Sequence, residues 1–232
     1  MPGILELIRE RASVRGPFDA QRPISEEDLA AILEAARWSP TAHNMQNFEI
    51  VVVDDPATLD AIANIKRPIS EAFIRENYEQ LSFSEEELMR RKTGLLATQF
   101  PPAWRNPDFH ADTLTAEETA AMQRPMPTAP LLLVVVYDPS KRAPASEGDF
   151  LGIVSLGCVM ENMWLTAEAL GISLQIVSSL SNDREVRRIL GIPDELEVAF
   201  SCRLGYPIAP APKRLRVRRD VADFASRNRF GG

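Results

Sequence analysis

A chain of 232 residues with 45 % hydrophobic and 25 % charged residues has the make-up of one ordinary globular domain with a sizeable core. Its net charge of −7 argues against a general nucleic-acid binder, whose domains are usually basic. Cys158 and Cys202 lie far apart in apolar runs, which fits buried reduced thiols better than a disulfide framework, and the two histidines are too few and too separated for a histidine-based metal site.

Residues 3–11 carry Ile4, Leu5, Leu7 and Ile8 among charges, which predicts a short amphipathic helix. Arg11-Ala12-Ser13-Val14-Arg15 follows and leads through Gly16-Pro17 to Phe18. In an extended backbone alternate side chains share a face, so Arg11, Ser13 and Arg15 would point one way. Two guanidinium forks flanking a hydroxyl suit a phosphate, although a solvated basic strand would read the same way. Ser25-Glu26-Glu27-Asp28 is a helix start with a capping serine, and the helix shows Leu29, Ile32, Leu33 and Ala36 on one face before Pro40. Phe48–Val53 is a β-branched strand ended by Asp54-Asp55-Pro56, and Thr58–Ile65 is a short helix.

Residues 66–130 are the least regular stretch, with helical pieces expected near 69–79 and 85–97 and then Phe100-Pro101-Pro102-Ala103-Trp104. Such a region is either a cover over a pocket or a surface insertion. Leu131–Tyr137 is a second strong strand. Asp149–Leu170 is apolar almost all round, the mark of a helix buried centrally or against a second subunit. Gly171 stops it, and Leu174–Val177, a helix over Asp183–Leu190, and a strand over Glu195–Leu204 follow. The segment from Ile208 to Gly232 holds seven Lys/Arg against two Asp, and shows no clear period before Val221–Phe230.

Strands and helices mix without a strict β-α-β repeat, so the fold class expected is α+β with four to five strands in one domain, 1–232. No basic-then-apolar leader begins the chain, and Glu161, Asn162 and Glu168 interrupt its longest apolar stretch, so a cytoplasmic setting without a membrane span is expected. No Gly-x-Gly-x-x-Gly, Walker A or Gly-x-Ser-x-Gly sequence is present, and the acidic runs Glu85-Glu86-Glu87 and Glu117-Glu118 read as solvated helix faces.

The order of the surviving features is informative. Arg-x-Ser-x-Arg, the capped helix from Ile24, and Ala35-Ala36-Arg37-Trp38-Ser39-Pro40-Thr41-Ala42-His43-Asn44-Met45-Gln46 before a strand together resemble the nitroreductase family of FMN-dependent oxidoreductases. Asp149, the helix ending Ala167-Glu168-Ala169-Leu170-Gly171-Ile172, the run from Glu185 to Pro193, and Leu204-Gly205-Tyr206-Pro207 are similar to that family too. The likeness covers about residues 3–65 and 130–230.

The resemblance implies a mostly antiparallel central sheet flanked by helices, in an intertwined homodimer with FMN at the subunit interface. Arg11, Ser13 and Arg15 would hold the FMN phosphate and ribityl chain, and Lys213, Arg214 or Arg216 would close the phosphate from the other end. Pro40, Thr41, Ala42, Asn44 and Gln46 resemble the loop that the partner subunit contributes to the flavin, where His43 either faces the ring or is an exposed imidazole. The turn Ile176-Val177-Ser178-Ser179 would lie along the flavin edge; relatives are often glycine-rich there.

The implied reaction is a ping-pong hydride transfer from NADH or NADPH through FMN to a nitroaromatic, quinone or enone, with no catalytic side chain because the flavin carries the chemistry. Residues 66–130 would be a variable cover, with Trp38, Phe73, Phe100, Trp104 and Phe109 as possible walls. The alternatives are a dedicated reaction, such as reductive dehalogenation or a biosynthetic oxidation, and a non-catalytic flavin-binding protein.

Overall fold

The structure, a computed structural model, describes residues 3–65, 71–100, 129–144, 146, 148–177, 184–209 and 215–231. The chain divides into two compact units, one of Met1–Ile65 with Pro125–Ala211 and one of Lys66–Arg124 with Pro212–Gly232.

In the first unit the organising strand is β4 (Leu131–Tyr137), whose sequence LLLVVVY offers no polar alternation. A β-branched and leucine run of that kind is stable only when covered on both faces. It pairs antiparallel with β1 (Phe48–Val53) on one side and with β6 (Glu197–Gly205) on the other. β5 (Ser173–Val177) then pairs antiparallel with β6, completing a four-stranded sheet in the order β1-β4-β6-β5. Alternate β4 residues feed two cores. Leu131, Leu133 and Val135 pack with Ile32 and Ala36 of α2 (Glu26–Arg37) and with Val159, Met163 and Ala167 of α6 (Phe150–Ala169). Leu132, Val134 and Val136 pack instead with Ile62 of α3 (Pro56–Ala63) and Val186 of α7 (Arg184–Leu190). The fold class is α+β, as expected.

The β6 strand changes face partway. Val135 is paired with Phe200 but Val136 with Val198, leaving Ala199 as an extra residue. Val198 therefore joins the α3/α7 core while Phe200, Cys202 and Leu204 join the α2/α6 core. This bulge explains why the strand alternates only in part.

α2 starts as the sequence predicts, with Ser25 Oγ accepting from the Asp28 N–H at 3.1 Å. The Asp28 carboxylate is used elsewhere and accepts from the Tyr206 hydroxyl at 3.2 Å, tying the helix start to the end of β6. Among the described residues α6 is the one helix both long and apolar enough to cross a membrane, and its most apolar window has a mean hydropathy of 1.4. By length and composition it would suffice to cross a membrane, so Glu161, Asn162 and Glu168 are a weaker interruption than the sequence reading takes them for. Its inner face is nevertheless core, and its outer face leaves Phe150, Ile153 and Val154 exposed. α1 (Ile4–Glu10) lies against α6 and buries none of its own residues, with Ile4, Leu5 and Ile8 exposed.

The second unit contains α4 (Glu71–Glu76) continued by a wide turn over Asn77–Leu81, and a short parallel pair of β2 (Ser82–Phe83) with β3 (Leu95–Leu96). Between these strands lies α5 (Glu85–Arg91), which ends earlier than the predicted 85–97. Lys92 takes a left-handed conformation at φ 55° and closes the helix there. Its ammonium pairs with Asp220, at the start of the helical turn Val221–Asp223, and lies 3.7 Å from Asp223. Of the stretch 66–130 that the sequence reading treats as a possible cover, residues 66–70 and 101–128 lie outside the described residues.

Gly205 closes β6 under the Phe18 ring. A Cβ there would lie 2.8 Å from Phe18 Cβ and Cγ and 2.9 Å from Pro130 Cδ, closer than side chains approach in real interiors. Gly205→Ala is therefore expected to destabilise the fold by about 1–3 kcal/mol, the scale of overpacking, and urea unfolding reads it directly.

Candidate functional site

After α1 the chain becomes a strap. Arg11 ends the helix in an extended conformation, φ −51° and ψ 138°, and its N–H still donates to Leu7 O. Ser13 then forms a parallel bridge with Leu174 of β5, and the Val14 N–H donates to Leu174 O at 3.2 Å. Further on, Phe18 bridges Pro207 antiparallel, Asp19 N–H donates to Tyr206 O at 2.7 Å, and Ile208 N–H to Pro17 O at 3.2 Å. Gly16 joins these two halves at φ 83°, a backbone region that favours glycine. The extended conformation predicted from Arg11 to Phe18 is thus present, and it is secured to the outer edge of β5 and to the end of β6.

Arg11 is anchored sideways. Its Nε donates to Glu161 Oε1 of α6 at 2.8 Å, and its guanidinium stacks 4.6 Å from the Trp164 ring centre. Both partners were missed by sequence reasoning, which took Glu161 only as an interruption of an apolar helix. The available signal was that a carboxylate in such a helix needs a cation. Ser13 is half-buried and Arg15 exposed.

The loop 40–46 hangs from the same helix. The Ala42 N–H donates to Ser155 Oγ at 3.0 Å, and Ser155 donates in turn to Leu151 O at 2.7 Å. Thr41 Oγ1 accepts from the Gln46 N–H at 3.1 Å and Thr41 O from the Asn44 N–H at 2.9 Å. Within this loop His43, Asn44 and Gln46 all have positive φ, at 51°, 53° and 44°. Asn and His tolerate that region; three such residues in four persist only where the surroundings over-determine the backbone. Pro40, His43, Asn44 and Gln46 are exposed, while Thr41 and Ala42 are half-buried. Ser155 and Glu161 are six residues apart, about 9 Å along the helix axis, so one helix positions both strap and loop.

Of the remaining predicted residues, Val177 ends β5 and is buried, and Arg216 is exposed in the second unit. Ser178, Lys213 and Arg214 lie outside the described residues, as do Trp104 and Phe109. Trp38 is exposed, its Nε1–H donating to Glu34 at 2.6 Å; Phe73 is exposed and Phe100 half-buried. Sequence reasoning also missed Arg203, a fully buried guanidinium behind the strap. A charged residue in an alternating strand looks solvent-facing until its contacts with Gln175, Arg15 and Phe18 are known.

A model of the nitroreductase family matches residues 8–206. Among curated proteins, the chain is 24% identical over 207 residues to an NADPH-dependent oxidoreductase of Staphylococcus aureus (strain USA300), covering 88% of this chain and 64% of that protein. The chain thus spans under two thirds of the length of the curated relatives it matches. Among solved structures, it is similar to a nitroreductase with bound FMN from Bacteroides fragilis NCTC 9343, at TM-score 0.58 and 23% identity over 97% of this chain and 98% of that one. It is also similar to oxidised iodotyrosine deiodinase bound to FMN and 3-iodo-L-tyrosine, at TM-score 0.62 and 23% identity over 98% of this chain and 100% of that one.

Burial shifts several titratable groups of the first unit, in the direction that disfavours the charged form of each. Burial pushes the Tyr137 hydroxyl up to about 12, helped by its hydrogen bond to Glu197 at 3.1 Å. Burial brings Arg203 down to about 10, which leaves it charged at pH 7. Burial alone pushes the Cys202 thiol up to about 12. A raised thiol stays protonated through neutral pH, and the thiolate is the nucleophile. At pH 8 the native protein is therefore expected to leave Cys202 unmodified by iodoacetamide, while both cysteines react in guanidinium chloride; peptide mass spectrometry checks this.

Proposed function

The chain belongs to the nitroreductase family, and from that membership we propose that it is an FMN-dependent oxidoreductase which moves hydride from NADH or NADPH to a small electron acceptor. The observation that carries the reading is the strap: Arg11, Ser13 and Arg15 on one extended segment, secured to β5 and α6. The donor chemistry fits a phosphomonoester, since guanidinium and hydroxyl groups are what its oxygens accept from. The buried indole N–H of Trp164, beside Arg11, has no hydrogen-bond partner among the described residues and adds a donor at that end. Support also comes from the names of the relatives: an NADPH-dependent oxidoreductase in Staphylococcus aureus, and two structural neighbours that hold FMN.

When bound, FMN would supply the redox chemistry, accepting hydride from the nicotinamide and delivering it to the acceptor in a ping-pong cycle. The protein's part is to bind and orient. Arg11, Ser13 and Arg15 would grip the phosphate and ribityl chain, with Lys213, Arg214 or Arg216 closing the phosphate. Glu161 and Trp164 fix the Arg11 side chain beforehand, so less side-chain freedom is lost on binding. Pro40, Thr41, Ala42, Asn44 and Gln46 would reach the flavin of a second copy, and Val177 and Ser178 would run along its edge. Nitroaromatics and quinones are the acceptors proposed. The likeness to iodotyrosine deiodinase makes reductive dehalogenation the second reading.

A homodimer is part of this proposal. α6 exposes Phe150, Ile153 and Val154, and α1 exposes Ile4, Leu5 and Ile8, a set of apolar side chains on two adjacent helices that a second copy would cover. Sedimentation velocity is expected to give twice the chain mass; a stable monomer that still binds FMN would refute the dimer.

The purified protein is expected to be yellow or to become so on adding FMN. Arg11→Ala and Arg15→Ala should each weaken FMN binding by about 1–3 kcal/mol, the scale of a charged hydrogen bond. Flavin-fluorescence titration measures it, and unchanged affinity in both variants overturns the clamp.

A further inference from the structure

We propose that Arg203, on the far side of β5 from the strap, is a positioning residue that sets the strap for the flavin phosphate. The inference rests on the FMN-phosphate reading above and deepens it. Arg203 is 1% exposed and is among the largest fully buried side chains of the described residues. Keeping a guanidinium out of water costs several kcal/mol unless its donors are used, so its contacts show what the burial serves.

Those contacts lead across the sheet to the strap. Gln175 of β5 stands directly opposite Arg203 in the strand register. Arg203 Nη2 donates to Gln175 Oε1 at 2.6 Å and, past it, to the backbone carbonyl of Arg15 at 2.9 Å. The guanidinium also lies 5.5 Å from the Phe18 ring centre, at the strap's other half.

The position of that second bond matters. Backbone ladder bonds hold the strap at Val14 and again from Pro17 onward. Between them stands Gly16, the most permissive residue of the segment, at φ 83°. The Arg15 carbonyl comes immediately before this pivot, and Arg203 ties it down. With Ser13 bridged to Leu174, the backbone of residues 13–15 is held at both ends, which fixes where the Ser13 hydroxyl and the Arg15 fork begin. Arg203 also places a fixed positive charge beneath the segment proposed to meet a dianion. A positioning role of this kind acts on the phosphate contacts and leaves the rest of the flavin alone.

That selectivity provides the test. FMN and riboflavin share the ring and ribityl chain and differ only in the phosphate. Dissociation constants for both should be measured by fluorescence titration for the full-length wild type, Arg203→Met and Gln175→Leu, with thermal melts of each protein without flavin. Wild type is expected to prefer FMN. Arg203→Met should reduce that preference by about tenfold or more, the loss of a charged hydrogen bond, and Gln175→Leu by about threefold, with riboflavin affinity unchanged in both. A folded Arg203→Met that keeps the wild-type preference, or that weakens FMN and riboflavin equally, overturns the inference and makes Arg203 only a structural residue. If Arg203→Met does not fold, Gln175→Leu decides by the same criterion. A wild type that binds FMN no better than riboflavin would overturn the phosphate reading itself, a result separate from either failure in the variants.

Discussion

Everything in the first unit depends on burying β4 from both sides. Six of its seven side chains are out of water, at about 1.5 kcal/mol or more each, so the strand contributes on the order of 10 kcal/mol before any entropy is counted. That is enough to oblige one layer of helices on each face. It is also enough to offset the several kcal/mol that the buried Arg203 costs in the neighbouring strand. A guanidinium can therefore be kept inside this sheet without the fold failing. The bulge at Ala199 is the adjustment that lets β6 serve both layers.

The helix α6, packed with α2 on one face of the sheet, does more than fill the core. Its inner residues complete the hydrophobic cluster, while its polar residues act as attachment points: Ser155 for the 40–46 loop and Glu161 for Arg11. A single rigid element thereby fixes two segments that are otherwise irregular, and irregular segments on a rigid scaffold are where binding groups collect. The three positive-φ residues of the loop fit this arrangement, because strain of that kind survives only where several anchors agree.

Much of this was readable from the sequence, for physical reasons. Phe48–Val53 and Leu131–Tyr137 were readable to the residue because uninterrupted β-branched runs bounded by turn residues have few alternatives. The start of α2 was equally plain from Ser25 and Asp28. What escaped were the features set by distant partners. Nothing local says that Glu161 and Arg11, 150 positions apart, form a pair, or that Arg203 is buried against Gln175 and the strap rather than facing water. The end of α5 escaped for a subtler reason: Lys92, not Gly94, takes the left-handed turn, and an ion pair to Asp220 holds it. The site followed the same rule. The residue types of the strap could be read directly, and the supports that orient them could not.

The overall charge bears on the strap in an unexpected way. A chain of net charge −7 repels a phosphate at long range. Fields between exposed charges fade over about 8 Å at physiological ionic strength, so affinity is decided by the groups within that radius. There Arg11 and Arg15 provide two guanidinium groups on the strap and Arg203 a third behind it, while Glu161 pairs with Arg11. Glu161 offsets much of the Arg11 charge, which makes Arg11 chiefly a shaped donor held in place. Arg15 at the surface and Arg203 inside are joined through the Arg15 backbone carbonyl. Because Arg203 is out of water, it is also the charge that salt screens least. The proposed dianion site is compatible with an acidic protein because local geometry outweighs total charge at contact distance.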